Sequence, residues 1–136
     1  MSAFYIKLCY NYTEKSGEEM NIKITLKNDD IISEENYIAK ITDKKIVYYE
    51  KEYKVTILLS ENLKLIREND DIKIELEFIS NTKTIGKCLL KKENLVTYLD
   101  VFTDYVIMEE NLIIVNYNVI TTEQNVLYRL EMLKWF

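Results

Sequence analysis

The chain has 136 residues, enough for one core and too few for two, so residues 1–136 are expected to form a single domain. With 48% hydrophobic and 30% charged residues there is material for a buried interior and no compositional case for disorder. A formal charge of -5 and a pI near 4.9 oppose binding to a phosphate backbone, which removes nucleic acid as an expected partner.

Apolar residues recur at every second position from the start, which is strand spacing. In "FYIKLCYNY" they are Phe4, Ile6, Leu8, Tyr10 and Tyr12; in "MNIKITLK" they are Met20, Ile22, Ile24 and Leu26. "EKSGE", with Gly17, reads as the turn between them. The stretch "DDIISEENYIAKITDKK" has room for a helical turn, but "NYIAKIT" is short and bounded by turn residues, which favours strand. The segment from Ile46 to Tyr53 places Ile46, Tyr48, Glu50 and Glu52 on one side and Val47, Tyr49, Lys51 and Tyr53 on the other. Neither side is wholly apolar, and a one-residue slip exchanges them, so the inward face stays open. The rhythm continues through Val55, Ile57 and Leu59, through Leu63, Leu65 and Arg67, and through Ile72, Ile74, Leu76 and Phe78.

"LVTYLDVFTDYVIME" runs for fifteen residues without a turn signal and is either one long bent strand or two joined at Thr103 and Asp104. In "NLIIVNYNVI" Ile113, Val115, Tyr117 and Val119 share a side. Along "NVLYRLEMLKW" Val126, Tyr128, Leu130 and Met132 do the same, against Arg129 and Glu131. The connectors are rich in Asn and Asp. With two glycines and no proline, these residues must supply the left-handed conformations of tight turns. Ten or so short strands at this spacing indicate an all-β sandwich or barrel, and barrel closure removes exposed edges. The expected fold is therefore an antiparallel up-and-down β-barrel of about 8–10 strands.

The order of segments resembles the YwiB-like proteins, small bacterial β-barrels of unknown function with a calycin-like (lipocalin-like) architecture. "KIVYYEKE" is similar to that family's tyrosine-and-glutamate strand, "KVTILLSENLKLIREN" to its following hairpin with an arginine before a turn, and "LIIVNYNV" to a strand near its C-terminus. The likeness covers nearly the whole chain as a succession of strands. Where the family pattern has glycines, this chain has Asn69 and Asn94, both able to take positive φ. "LLKKEN" stands where a Tyr-x-Thr segment is expected. The resemblance implies a lipocalin-like fold and a cavity, with no activity to carry over.

Chemistry is bounded mainly by absence. Without histidine there is no Ser-His-Asp triad, no imidazole metal ligand and no proton shuttle of that kind. Two glycines cannot build a phosphate-cradling loop, and Gly17 and Gly86 read as lone turn residues. Cys9 and Cys88 are too few for a disulfide scaffold or a zinc site. Glu50 and Glu52 read as solvated charges beside Lys51 and Lys54. No catalytic role, cofactor or metal is expected.

The start lacks a signal peptide pattern and no run is long enough to span a bilayer, so a cytoplasmic protein with no membrane partner is expected. The remaining constellation is Tyr48 and Glu50 with Arg67 at the barrel rim, and Tyr117 and Tyr128 on the apolar faces of their strands. These five residues are the expected ligand-binding set, able to orient a small apolar or amphipathic molecule over an apolar floor. Tyr98, Tyr105 and Trp135 have no evident place in that set. The alternative is a solid barrel that works through a surface or a homodimer interface.

Overall fold

The structure is a computed structural model and describes residues 18–133. The expected strand at residues 4–12, with Cys9, Tyr10 and Tyr12, lies outside the described residues, as do the Gly17 turn and Trp135. Ten strands follow: β1 (Glu18–Asn28), β2 (Ile31–Ile41), β3 (Lys45–Tyr49), β4 (Lys54–Leu59), β5 (Leu63–Glu68), β6 (Ile72–Phe78), β7 (Thr82–Leu90), β8 (Leu95–Glu109), β9 (Leu112–Val119) and β10 (Gln124–Met132). Each pairs antiparallel with its neighbours in sequence. β1 also pairs with β10, from Ile22 opposite Met132 to Asn28 opposite Val126, which closes the barrel in the expected up-and-down order. The stretch before residue 45 that left room for a helical turn is strand β2.

The alternation read from the sequence sorts the two faces. Ile22, Ile41, Ile46, Ile57, Val101, Ile113 and Leu130 point inward and are essentially inaccessible. Outside, charges alternate with them, as at Lys64, Lys73, Glu75 and Glu77. Lys23 lies 3.8 Å from Glu34 on β2 and 4.0 Å from Glu131 on β10, a ladder across the closing strands. Among the described residues no helix is long and apolar enough to cross a membrane.

β8 is the single long strand of the two alternatives, with an irregularity where expected. Thr103 pairs with Tyr117, but Tyr105 pairs with Asn116, leaving Asp104 as an extra residue. The bulge resets the alternation, so the inward series Val101 and Thr103 resumes at Val106 and Met108. Asp104 turns outward and accepts a bond from the Asn118 amide at 3.2 Å.

The turns are built largely as composition dictates: positive φ occurs at Asp29, Asn81, Asn94 and Asn111, with Glu123 the exception. Asn94 thus takes the place of a turn glycine, whereas Asn69 does not adopt positive φ. Its Oδ1 instead accepts bonds from the backbone N–H groups of Asp71 (2.8 Å) and Ile72 (3.0 Å), a side-chain-built turn. Gly86 is also not a turn residue. It lies within β7, where an added Cβ would stand 2.7 Å from Leu76 Cδ2 and 3.1 Å from the Glu75 carbonyl oxygen. It allows close approach of β7 to β6 rather than a change of direction.

Because the order is up-and-down, alternate turns collect at opposite ends. The β2–β3, β4–β5, β6–β7 and β8–β9 turns lie at one end, and the β1–β2, β3–β4, β5–β6, β7–β8 and β9–β10 turns at the other. The first end is plugged by Met20, Leu59, Leu63, Phe78 and Met132, all buried. The second, here called the mouth, carries the candidate site.

Candidate functional site

β3 ends at Tyr49, and a turn held by the Glu50 N–H donating to the Tyr53 carbonyl (2.8 Å) leads into β4. Parity with the buried Ile46 sends Tyr48 inward, 1% exposed, while Tyr49 points out, 66% exposed. The phenol and the carboxylate that follow Ile46 at intervals of two therefore both serve the interior side of the wall.

On β5, Arg67 has the parity of Leu63 and Leu65, and its partners across the ladder are Val55 and Ile74. At the mouth its Nε donates to Glu50 Oε1 at 2.9 Å. The pair is partly exposed, so it contributes no more than about 1 kcal/mol and opens at little cost. The guanidinium also lies over the Tyr53 ring, 4.1 Å from its centroid. Strict alternation puts Tyr53 opposite Glu50, but residues 50–53 form the turn rather than strand, and the ring swings back under Arg67. Glu52 lies in the same turn and is exposed.

Across the lumen, Tyr128 on β10 and Tyr117 on β9 complete the floor. The Tyr48 and Tyr128 hydroxyls lie 2.7 Å apart, both residues being buried. Tyr117 stacks on Phe78 with centroids 4.7 Å apart. Its hydroxyl has no hydrogen-bond partner among the described residues. Tyr37 packs on Tyr48, with ring centroids 4.9 Å apart.

The five residues expected from the sequence are thus drawn into two linked contacts, Tyr48 with Tyr128 and Glu50 with Arg67, with Tyr117 within electrostatic reach of Tyr128 and Arg67. Tyr37 and Tyr53 join them unforeseen. Tyr37 shares the parity of Ala39 and Ile41, a signal present in the sequence; Tyr53 depends on the turn. Thr103, across the ladder from Tyr117, is also buried, with its hydroxyl unpartnered. Tyr98 and Tyr105 are exposed, and no Cys, Asp or Glu cluster suited to a metal ion occurs among the described residues.

Burial pushes the Tyr117 phenol up from 10.0 to about 12, with Arg67 opposing. Burial also raises Tyr48, where the Tyr128 hydrogen bond opposes the rise and Glu50 reinforces it. Tyr128 is raised well above the usual value by burial first, then by Tyr48, Glu50 and Tyr117. All three are neutral O–H groups at neutral pH. A folded-state value above the unfolded one means stability that is intact below about pH 10 and lost as the pH climbs through 12. Denaturant unfolding followed by circular dichroism should therefore show a steep fall in stability across that window. A flat profile there would contradict the buried positions of these rings.

No family model matches the chain, and no curated protein matches it. Among solved structures it superposes on the crystal structure of the ywiB protein from Bacillus subtilis with a TM-score of 0.63, at 17% identity, over 90% of this chain and 99% of that one. The chain has the YwiB fold. This agrees with the likeness read from "KIVYYEKE", "KVTILLSENLKLIREN" and "LIIVNYNV", which in this YwiB-like barrel form β3 with its turn, the β4–β5 hairpin and β9. At such low identity the match speaks for architecture, and the mouth cluster has to be read from its own chemistry.

Proposed function

We propose that this YwiB-like barrel is a non-catalytic binder of a small amphipathic molecule, held at the mouth rather than deep in the lumen. The observation that carries the reading is the state of Arg67. Its guanidinium offers five N–H donors in a planar fork, and a single one is engaged, by a carboxylate from which it separates cheaply. Phenols stand behind it and aliphatic side chains below, the mixture of few polar groups on an apolar lining that small-molecule sites use. Ile22, Ile57, Ile113 and Leu130 fill the lower barrel, and an open depression at the mouth is lined by Glu50, Tyr53 and Asn69. With no histidine and no metal-type cluster among the described residues, the groups present suit holding a molecule more than transforming it. A cytoplasmic setting fits Cys88, a free thiol.

The test is a panel of small apolar and amphipathic molecules, scored by thermal midpoint and by tyrosine emission. A ligand at a hundred times its Kd should add about 2.7 kcal/mol to the folded state. Silence across the panel in both readouts removes the proposal.

A second reading, a barrel that works through an interface with another copy, is favoured by the exposure of Val96 (43%) and Tyr98 (60%), which share the outer face of β8. Sedimentation as a dimer, lost on replacing both residues by serine, would support it.

A further inference from the structure

The ring closes unevenly. β2 runs beside β1 over its whole length, from Ile41 opposite Glu18 to Ile31 opposite Asn28, but it meets β3 through two residue pairs, Lys40 with Val47 and Ile41 with Ile46. Beyond these pairs the two strands part. A depression of about 340 Å³ opens on the outside of the seam, lined by Ile38, Lys40, Lys45, Tyr49 and Lys54 among others. Residues 31–38 of β2 are therefore a strand edge with no neighbouring strand among the described residues.

The ladder fixes what this edge presents. The Thr42 N–H donates to the Lys45 carbonyl (2.9 Å), and bonded positions alternate along an antiparallel pair, so the backbone groups of even-numbered residues of β2 point toward β3. Those of Lys40 face Val47; those of Ile38, Asn36, Glu34 and Ile32 face no strand. The side chains of the same residues share the outer face with Lys40, and Ile32 and Ile38 are exposed there. Lysine, proline and bulges, which ordinarily guard an open edge, are all lacking between residues 31 and 38.

A second β2 laid antiparallel on this edge complements it in one register. With Glu35 opposite Glu35, Ile32 faces Ile38, Glu34 faces Asn36, and the turn residue Asp30 comes level with Lys40, each contact occurring twice by symmetry. Lys40, Lys45 and Lys54 have no carboxylate partner among the described residues, so the incoming Asp30 meets unpaired cations. Moving the axis by one residue sets Glu34 against Glu34 or against Ile38. The Glu35 pair on the axis is exposed to water, which screens its repulsion.

We propose that β2 is a docking edge for a second copy of this chain, the two β2 strands pairing antiparallel about a two-fold axis at Glu35 so that the walls of two barrels join into one sheet. Ile32 of each copy enters the depression beside Ile38 and Tyr49 of the other. The pairing goes beyond the mouth-binding reading, does not depend on it, and lies on a different face from Val96 and Tyr98.

Sedimentation velocity of the full chain over a wide concentration range should show a monomer–dimer equilibrium. Asn36→Pro should leave a monomer at every concentration while keeping the β-sheet circular dichroism spectrum, because the Asn36 N–H faces the open edge and proline there removes no bond of the barrel. Ile38→Lys, at an exposed position, should do the same without altering the backbone. The double variant Val96→Ser, Tyr98→Ser should dimerise as the wild type does. Register is read by mild oxidation of chains in which Cys9 and Cys88 are replaced by serine. Glu35→Cys should give a covalent dimer, since residues directly opposite at a non-bonded position have Cα atoms about 4.5 Å apart. Glu34→Cys should not, its two copies being diagonal neighbours about 7–8 Å apart.

A wild type that stays monomeric throughout overturns the proposal, as does a dimer that survives both Asn36→Pro and Ile38→Lys or is lost in the β8 variant. Crosslinking at residue 34 in preference to residue 35 overturns the register. None of these results bears on small-molecule binding at the mouth, which the ligand panel tests separately.

Discussion

Leu130→Ala should lower the unfolding free energy by about 2–5 kcal/mol, because it removes buried methyl groups and leaves a cavity that a closed barrel wall fills poorly. Leu130 is fully inaccessible, on β10 where that strand pairs both with Ile24 of β1 and with Ile113 of β9. It therefore sits at the seam that closes the barrel. Leu95→Ala is the control: the same chemical change at an exposed position should stay within about 0.5 kcal/mol. The contrast is best read from urea denaturation, where the midpoint of Leu130→Ala should move sharply and that of Leu95→Ala should hardly move. Equal effects at the two sites would mean that the inward and outward faces have been misassigned.

The second large effect concerns the pair of hydroxyls inside. Tyr48→Phe should cost about 1–3 kcal/mol, because it leaves the Tyr128 hydroxyl buried without its partner at 2.7 Å. Tyr128→Phe should cost a similar amount for the reciprocal reason. The double variant should be less destabilised than the sum of the two, since no orphaned hydroxyl remains once both are gone. A coupling of about 1 kcal/mol in this cycle measures the bond directly. Simple additivity would show that the two hydroxyls do not meet. The same double variant should flatten part of the loss of stability between pH 10 and 12, because two of the three phenols that resist ionisation are then absent.

Much of the architecture is legible in the residues themselves, for a local reason. A strand alternates sides at every residue, so Ile72, Ile74, Leu76 and Phe78 on one side against Lys73, Glu75 and Glu77 on the other could be read without any knowledge of neighbours. Leu76 and Phe78 are indeed in the core and Ile74 packs against it, while Ile72, nearest the mouth, is only half-buried. The Thr103–Asp104 break in β8 showed as the point where the apolar rhythm falters, and the structure makes it a bulge. Local signals failed where a turn replaced a strand. Tyr53 lies beside Arg67 because residues 50–53 reverse direction, and Gly86 lies inside a strand because its lack of a side chain answers a cross-strand approach. Nothing in the adjacent sequence reports either fact.

The sequence by itself determined that the chain is all-β and built of short strands joined by tight turns, because two-residue periodicity, Asn- and Asp-built turns and short connectors are properties of neighbouring residues; closure in up-and-down order is a property of the assembled barrel. It also settled which side chains share a face. Tertiary structure alone decided which face looks inward at β3, that Tyr48 meets Tyr128 from 80 positions away, and that Arg67 finds Glu50 at the mouth. The reason is closure. Distances across a barrel depend on strand number, tilt and stagger accumulated around the whole ring, a sum over all strands that no single stretch of chain contains.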